Sequence, residues 1–153
     1  MKRLVSLLIV CSGIQASAQS QFRANGSNGV YSSSGNLCEN TAQMAVDQIP
    51  NSSYASDWAR RILYQAHKIK CQVPINDAAR IAGPVVTAAN RVFLLSVQHY
   101  SNHSNTMRSA LVQLASALGP MRSHLEYCMN APGCFQAISD LAALETYINE
   151  VYQ

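Results

Sequence analysis

The clearest hydrophobic pattern in the chain lies between residues 107 and 128. Apolar residues recur there at alternating steps of four and three, the heptad spacing of a helix that packs along one face against its neighbours. The seam consists of Met107, Leu111, Leu114, Leu118, Met121, Leu125 and Cys128. No strand-like alternation competes with it, so the pattern predicts a long helix that starts near Thr106.

Four other segments with helical spacing are separated by clusters of Pro, Gly, Asn and Ser. The predicted helices 1 to 5 cover about residues 37–49, 54–71, 77–101, 106–128 and 132–152. Ser53 and Asn76 are candidate N-caps of predicted helices 2 and 3. The apolar stripe of predicted helix 2 is Tyr54, Trp58, Ile62, Ala66 and Ile69, and that of helix 5 is Leu141, Leu144, Ile148 and Val151. Because short loops between long helices indicate antiparallel neighbours, the sequence predicts an all-α fold. We expect an up-and-down bundle of four long helices plus a short N-terminal helix.

The N-terminal segment has the composition of a secretory signal peptide. Lys2 and Arg3 precede an apolar run that extends to Val10, and Ala16-Ser17-Ala18 provides the small residues needed before a cleavage site. The run is too short for the alternative, a membrane anchor. We therefore expect residues 1–18 to be removed and the mature protein to be secreted or periplasmic. Residues 19–36 form a predicted flexible leader rich in Ser, Asn and Gly, which leaves 37–153 as the helical domain.

The net positive charge belongs mainly to the predicted signal peptide. The whole chain has 11 Lys and Arg against 8 Asp and Glu, and two of the basic residues are Lys2 and Arg3. The mature chain would therefore be close to neutral, without the basic surface typical of nucleic-acid binding. No later segment has the length and apolarity of a membrane span. We expect neither a nucleic-acid partner nor a transmembrane segment in the mature chain.

Four cysteines remain once Cys11 leaves with the signal peptide. They are Cys38, Cys71, Cys128 and Cys134. An even count in an exported chain favours two disulfides. In the predicted bundle all four cysteines lie at helix ends that belong to one pole. The favoured pairing is Cys38–Cys71, which closes the first hairpin, and Cys128–Cys134, which flanks the last turn; other pairings remain geometrically possible.

Histidines offer an alternative in which some of these residues bind a metal. His67 and Cys71 are four residues apart, as are His124 and Cys128, so each pair would lie on one helix face. Together they could supply a His₂Cys₂ set for zinc or copper. Structural disulfides are favoured because an oxidising compartment removes thiolates, and because a charged imidazole near a helix C-terminus has its own stabilising role.

A second candidate metal pair is His99 and His103. Their spacing suits two ligands if predicted helix 3 continues through both residues. The intervening Ser-Asn and the following Ser-Asn are turn formers, which favours a helix end with two exposed histidines.

Two Gly-Pro steps fall in predicted helices 3 and 4, at Gly83-Pro84 and Gly119-Pro120. With a hairpin turn near residues 102–103, the numbers of facing residues sum to about 205, so the two breaks lie at the same height. Matched kinks that preserve packing are the favoured interpretation. The alternative is a small apolar ligand pocket lined by Pro84, Pro120, Ala82 and Met121.

Charge is unevenly divided between predicted helices 2 and 5. Helix 2 carries Arg60, Arg61, Lys68 and Lys70 against Asp57, whereas helix 5 carries Asp140, Glu145 and Glu150 without any basic residue. Two solvated faces are the favoured interpretation. The alternative is that the helices are neighbours, or that each presents a charged surface to a partner.

No recognised catalytic motif is present. The chain lacks His-Glu-x-x-His, Gly-x-Ser-x-Gly, Cys-x-x-Cys and a phosphate-binding loop. The sequence therefore favours an exported, disulfide-stabilised helical bundle that acts as a non-catalytic binding or interaction module, with no cofactor. Its partner would be an unknown protein or a small apolar ligand. The alternatives are a periplasmic bundle that binds a metal or a small apolar ligand, and a small secreted hydrolase with a triad assembled from distant residues.

Overall fold

The computed structural model describes residues 34–153, apart from residues 75 and 77. The predicted signal peptide and residues 19–33 of the predicted leader lie outside this part of the chain. The five α-helices are α1 (Ser34–Asp47), α2 (Asp57–Gln72), α3 (Gly83–Val97), α4 (Asn105–Tyr127) and α5 (Pro132–Tyr152). A 3₁₀ turn (Ser52–Tyr54) precedes α2, and a π-helical turn (Ala78–Ala82) precedes α3. The described residues contain no strand, which confirms the predicted all-α class.

Helix α2 makes the most varied contacts of the five. It packs against α1, α3 and α5, while α4 packs against α3 and α5. The six apolar residues of the predicted α4 seam before Cys128 are all buried in the shared core, as their spacing predicts. Leu141, Leu144 and Ile148 of α5 and Ile62, Ala66 and Ile69 of α2 join the same core.

One side-chain contact relates positions on α3 and α4. Nη1 of Arg91 donates a hydrogen bond to Oε1 of Gln113 at 3.4 Å. The two residue numbers sum to 204, close to the predicted 205, and those of Pro84 and Pro120 give the same sum. Pro84 lies where the π-helical turn passes directly into α3, within the first turn of α3, so the predicted irregularity at this step is a change of helix type rather than a matched kink. Pro120 lies inside α4.

The start of α2 differs from the prediction. The helix begins at Asp57 rather than near residue 54, and its N-cap is Ser56, not Ser53. The 3₁₀ turn takes up residues 52–54, so Tyr54 is exposed and does not belong to the apolar stripe. The backbone N–H of Ser56 donates to the buried Oγ of Ser96 in α3 at 2.8 Å, a long-range contact that local sequence does not reveal.

The other helix boundaries depend on turn chemistry. Helix α4 begins behind Ser104, whose Oγ accepts a hydrogen bond from the N–H of Met107 at 3.2 Å. Helix α3 ends at Val97, four residues before the predicted end, because His99 adopts a left-handed backbone conformation (φ 66°). Asn76, the predicted cap, is helical and exposed and lies between two residues outside the described part. Helix α1 begins at Ser34, so the last three residues of the predicted leader are helical.

Candidate functional site

A cleft with a volume of about 430 Å³ lies between α1 and α2. Its lining residues are Gln43 and Val46 from α1 and Asp57, Arg60, Arg61 and Tyr64 from α2. The α2 residues are spaced by three and four positions, so they share one face of that helix. The cleft is therefore formed by facing stripes of two neighbouring helices, and five of its six lining residues have a polar or charged group.

The two arginines of the cleft are held in place by different contacts. Nη2 of Arg60 donates to the backbone carbonyl oxygen of Ser52 at 2.7 Å. The guanidinium carbon of Arg61 lies 5.9 Å from the ring centre of Tyr147 in α5, a cation–π arrangement. Among the described residues neither guanidinium has a carboxylate oxygen within 4.0 Å. Both keep N–H donors available to a ligand.

Asp57 lies on the same wall, in the first turn of α2. Residues at i and i+4 of a helix commonly pair, yet Asp57 and Arg61 form no ion pair. On the opposite wall, Nε2 of Gln43 donates to both carboxylate oxygens of Asp47 at 3.0 and 3.1 Å, which fixes the amide. The cleft thus contains separated charges of both signs.

A group of charged residues adjoins Tyr64, one helical turn along α2. Nζ of Lys68 lies 3.4 Å from Oε1 of Glu39 in α1 and 3.4 Å from Oδ1 of Asp140 in α5. The side chains of Lys68 and Asp140 are only 13% and 10% exposed, whereas that of Glu39 is 48% exposed. Burial alone would lower the pKa of Lys68, but the two carboxylates outweigh it and the pKa is raised. Lys68 is therefore a cation that joins three helices.

The same group affects Tyr64. Burial raises the pKa of its hydroxyl, the Glu39 carboxylate raises it further, and Asp140 adds to the effect against the opposing charge of Lys68. At neutral pH Tyr64 therefore carries a protonated hydroxyl that can donate a hydrogen bond.

The Lys68–Asp140 contact decides one of the alternatives left open by the sequence. Helices α2 and α5 are neighbours, and one pair of opposite charges, Lys68 and Asp140, meets at their interface, so the favoured interpretation of two solvated faces is wrong for this pair. Oδ2 of Asp140 is buried and has no hydrogen-bond partner among the described residues, so Lys68 alone offsets its charge there.

The four cysteines form two disulfides in the structure. Cys38 is bonded to Cys71, and Cys128 to Cys134. This is the connectivity that the hairpin argument favours. Because Cys71 and Cys128 are both oxidised, neither thiolate is available to the predicted His₂Cys₂ set with His67 and His124. Among the described residues, no group of three or more His, Cys, Asp and Glu side chains is arranged to hold a metal.

Further observations concern the histidines that were candidate metal ligands. Burial lowers the pKa of His67 and the charge of Lys70 lowers it further, which disfavours the charged imidazole predicted at this helix end. His99 and His103 are exposed and lie beyond the end of α3, so they do not share a helical face.

The four residues predicted to line an apolar pocket do not lie in one environment. Ala82 and Met121 are fully buried in the common core, whereas Pro84 and Pro120 are exposed.

The sequence did not predict the cleft between α1 and α2, because its lining comes from two helices whose relative rotation the sequence does not specify. The available signal was the run of charged and aromatic residues on one face of α2, at positions 57, 60, 61 and 64.

No helix in the described part of the chain combines the length and the apolarity required to cross a bilayer.

Similarity to known proteins adds no further constraint on the site. No protein-family model matches the chain, and no curated protein or solved structure is detectably similar to it.

Proposed function

We propose that this chain is an exported, disulfide-stabilised helical protein that binds a small carboxylate-bearing ligand in the cleft between α1 and α2, without catalysing a reaction. The observation that carries the proposal is the pair of arginines. Two guanidiniums without an ion-pair partner among the described residues line a concavity of about 430 Å³. Volumes of this order are typical of small-molecule sites.

The guanidinium group is suited to this role. It presents several N–H donors in one plane and matches the two oxygens of a carboxylate. Arg60 and Arg61 are each anchored by one contact, to Ser52 and Tyr147, so less side-chain freedom remains to be lost on binding. The protonated hydroxyl of Tyr64 adds a further donor in the same cleft. These donors favour a charged ligand over the small apolar ligand expected from the sequence.

Export is supported by two features of the chain. The N-terminal sequence has the organisation of a signal peptide, with basic, apolar and small-residue parts in that order. The two disulfides are typical of proteins that reside in oxidising compartments.

An up-and-down course of α2, α3, α4 and α5 belongs to the same proposal. The Arg91–Gln113 contact supports an antiparallel α3–α4 pair. The backbone of Gln72, at the end of α2, lies against Gly133, at the start of α5, which supports a common pole for the two disulfides. In this arrangement the cleft lies on the outer side of the bundle, where α1 forms one of its two walls.

The proposal is tested by titrating the protein with a panel of small carboxylic and amino acids. Calorimetry measures affinity, and the fluorescence of Trp58, the single tryptophan of the chain, reports from the residue next to Asp57. The best ligand is then titrated into Arg61→Gln. We expect its affinity to fall by about tenfold or more, because one charge-assisted hydrogen-bonding group is lost.

Arg108→Gln is the matched control. The guanidinium of Arg108 also lies over a tyrosine ring, that of Tyr152, at 4.5 Å, but outside the cleft. It should bind the ligand as the wild type does. The proposal is wrong if no member of the panel binds, or if both substitutions weaken binding equally.

A further inference from the structure

We propose that the ligand of the cleft is a zwitterion, an α-amino acid, whose carboxylate binds Arg60 and Arg61 and whose ammonium group binds Asp57. This inference rests on the proposed function and specifies its ligand. It starts from the distribution of charge in the cleft: one carboxylate and two guanidiniums line the same concavity.

The first step is that these opposite charges are kept apart. Asp57 is three positions before Arg60 and four before Arg61, a spacing at which helical side chains normally meet. No nitrogen of either arginine lies within 4.0 Å of the Asp57 carboxylate in the described structure. The reason is visible in the contacts, since Arg60 reaches the carbonyl of Ser52 and Arg61 reaches the ring of Tyr147.

The second step is that a ligand with a single charge does not match this cleft. The Asp57 carboxylate would repel a simple anion, and the two guanidiniums would repel a simple cation. A molecule that carries both charges close together can satisfy all three groups. An α-amino acid has a carboxylate and an ammonium group on one carbon, which suits groups one helical turn apart on the same wall.

The third step concerns the remainder of the lining. Val46 provides an apolar contact, the Gln43 amide is fixed by Asp47, and the Tyr64 hydroxyl stays protonated. These groups line the remainder of the cleft, where the ligand's side chain would lie in this proposal. Because they include one apolar and two polar groups, we expect a preference for an uncharged side chain.

The test compares the tightest-binding amino acid with two analogues, one without its amino group and one without its carboxyl group. Each is titrated by calorimetry into the wild type and into Asp57→Asn. We expect both analogues to bind the wild type more weakly than the amino acid. Asp57→Asn should lose about tenfold or more in affinity for the amino acid. The same substitution should leave binding of the des-amino analogue unchanged or make it tighter.

Glu126→Gln is the matched control, because it removes an exposed carboxylate on α4, a helix that contributes no residue to the cleft lining. Circular dichroism and thermal unfolding show whether Asp57→Asn remains folded, and the des-amino analogue reports an intact cleft in that variant. The proposal of a zwitterionic ligand is wrong if the des-amino analogue binds the wild type as tightly as the amino acid and Asp57→Asn raises the affinity for both. That result would still support a carboxylate-binding site. If no ligand of the panel binds, the proposed function itself fails.

Discussion

The α-carbon of Gly133, in the first turn of α5, lies against the backbone carbonyl oxygen of Gln72, the last residue of α2. A Cβ atom at position 133 would collide with this oxygen, so the close approach requires glycine. Gln72 follows Cys71 and Gly133 precedes Cys134, so the contact brings the surroundings of the two disulfides together.

Replacement of this glycine should therefore destabilise the protein. We expect Gly133→Ala to lower the free energy of unfolding by about 1–3 kcal/mol, because backbone must move to accommodate the methyl group. Gly119→Ala is the control: a Cβ there meets no atom within 4 Å, and alanine in a helix interior should stabilise by about 0.5–1 kcal/mol. Urea unfolding measures both. Equal and small changes in the two variants would contradict the observed contact.

Lys68 and Asp140 form a largely buried ion pair on which the stability of the fold should depend. Removal of the ammonium group in Lys68→Met leaves a carboxylate that is almost fully buried, and we expect a loss of about 3 kcal/mol in the free energy of unfolding. The double variant Lys68→Met/Asp140→Leu should recover most of this loss, because no buried charge remains.

The control for this pair is Arg122→Ala. The guanidinium of Arg122 hydrogen-bonds Glu145 on the neighbouring helix, but both side chains are more than one third exposed. Its loss should cost less than about 1 kcal/mol. A double variant less stable than Lys68→Met would show that the buried pair is not the source of the effect.

His67 should make stability depend on pH below neutrality. Burial and the nearby charge of Lys70 lower its folded-state pKa below the ordinary value, so the unfolded chain binds more protons as the pH falls. The free energy of unfolding should therefore decrease as the pH falls through about 6.5, the ordinary pKa of histidine, and level off below the folded-state pKa. In His67→Gln this decrease should be smaller. Denaturation at pH 7.5, 6.5 and 5.5 tests the difference, and His103→Gln, at an exposed position, should keep the wild-type profile.

The two disulfides should contribute unequally to stability. Their sequence separations are 33 and 6, so the closed loops differ greatly in chain entropy. In the loop-entropy treatment the larger loop contributes about 3.8 kcal/mol and the smaller about 2.3 kcal/mol. The Cys38→Ser/Cys71→Ser variant should unfold at lower urea than Cys128→Ser/Cys134→Ser. The reverse order would show that contacts around the smaller loop dominate.

The sequence predicted those features that depend on local spacing. The α4 seam from Met107 to Leu125 is buried because a 4-3 repeat leaves one face of a helix for the core. The hairpin argument for the disulfides also required only chain order and short loops. The start of α2 was misplaced because Ser53 and Ser56 are equally suitable N-cap residues, and the hydrogen bond from the Ser56 N–H to Ser96 joins residues far apart in sequence.

The cleft was beyond sequence reasoning for a related physical reason. Asp57, Arg61 and Tyr64 were visible as one helical face, but whether that face met solvent, α1 or α5 depends on the rotation of α2 in the core. The separation of Asp57 from Arg61 depends on Tyr147, which is contributed by another helix. The sequence showed the charges, and only the packing determined which of them remain unpaired.

The larger disulfide loop has a mechanical consequence for the cleft. Every residue that lines the cleft falls between Cys38 and Cys71, whereas α3, α4 and nearly all of α5 lie outside both closed loops. A stretching force applied to the two ends of the chain would first extend the unlooped helices. Until the Cys38–Cys71 bond is reduced, the segment between these two cysteines, about 110 Å of contour length, could not be extended. Under tension α1 and α2 would therefore stay tethered as one hairpin after the remaining helices had been drawn away.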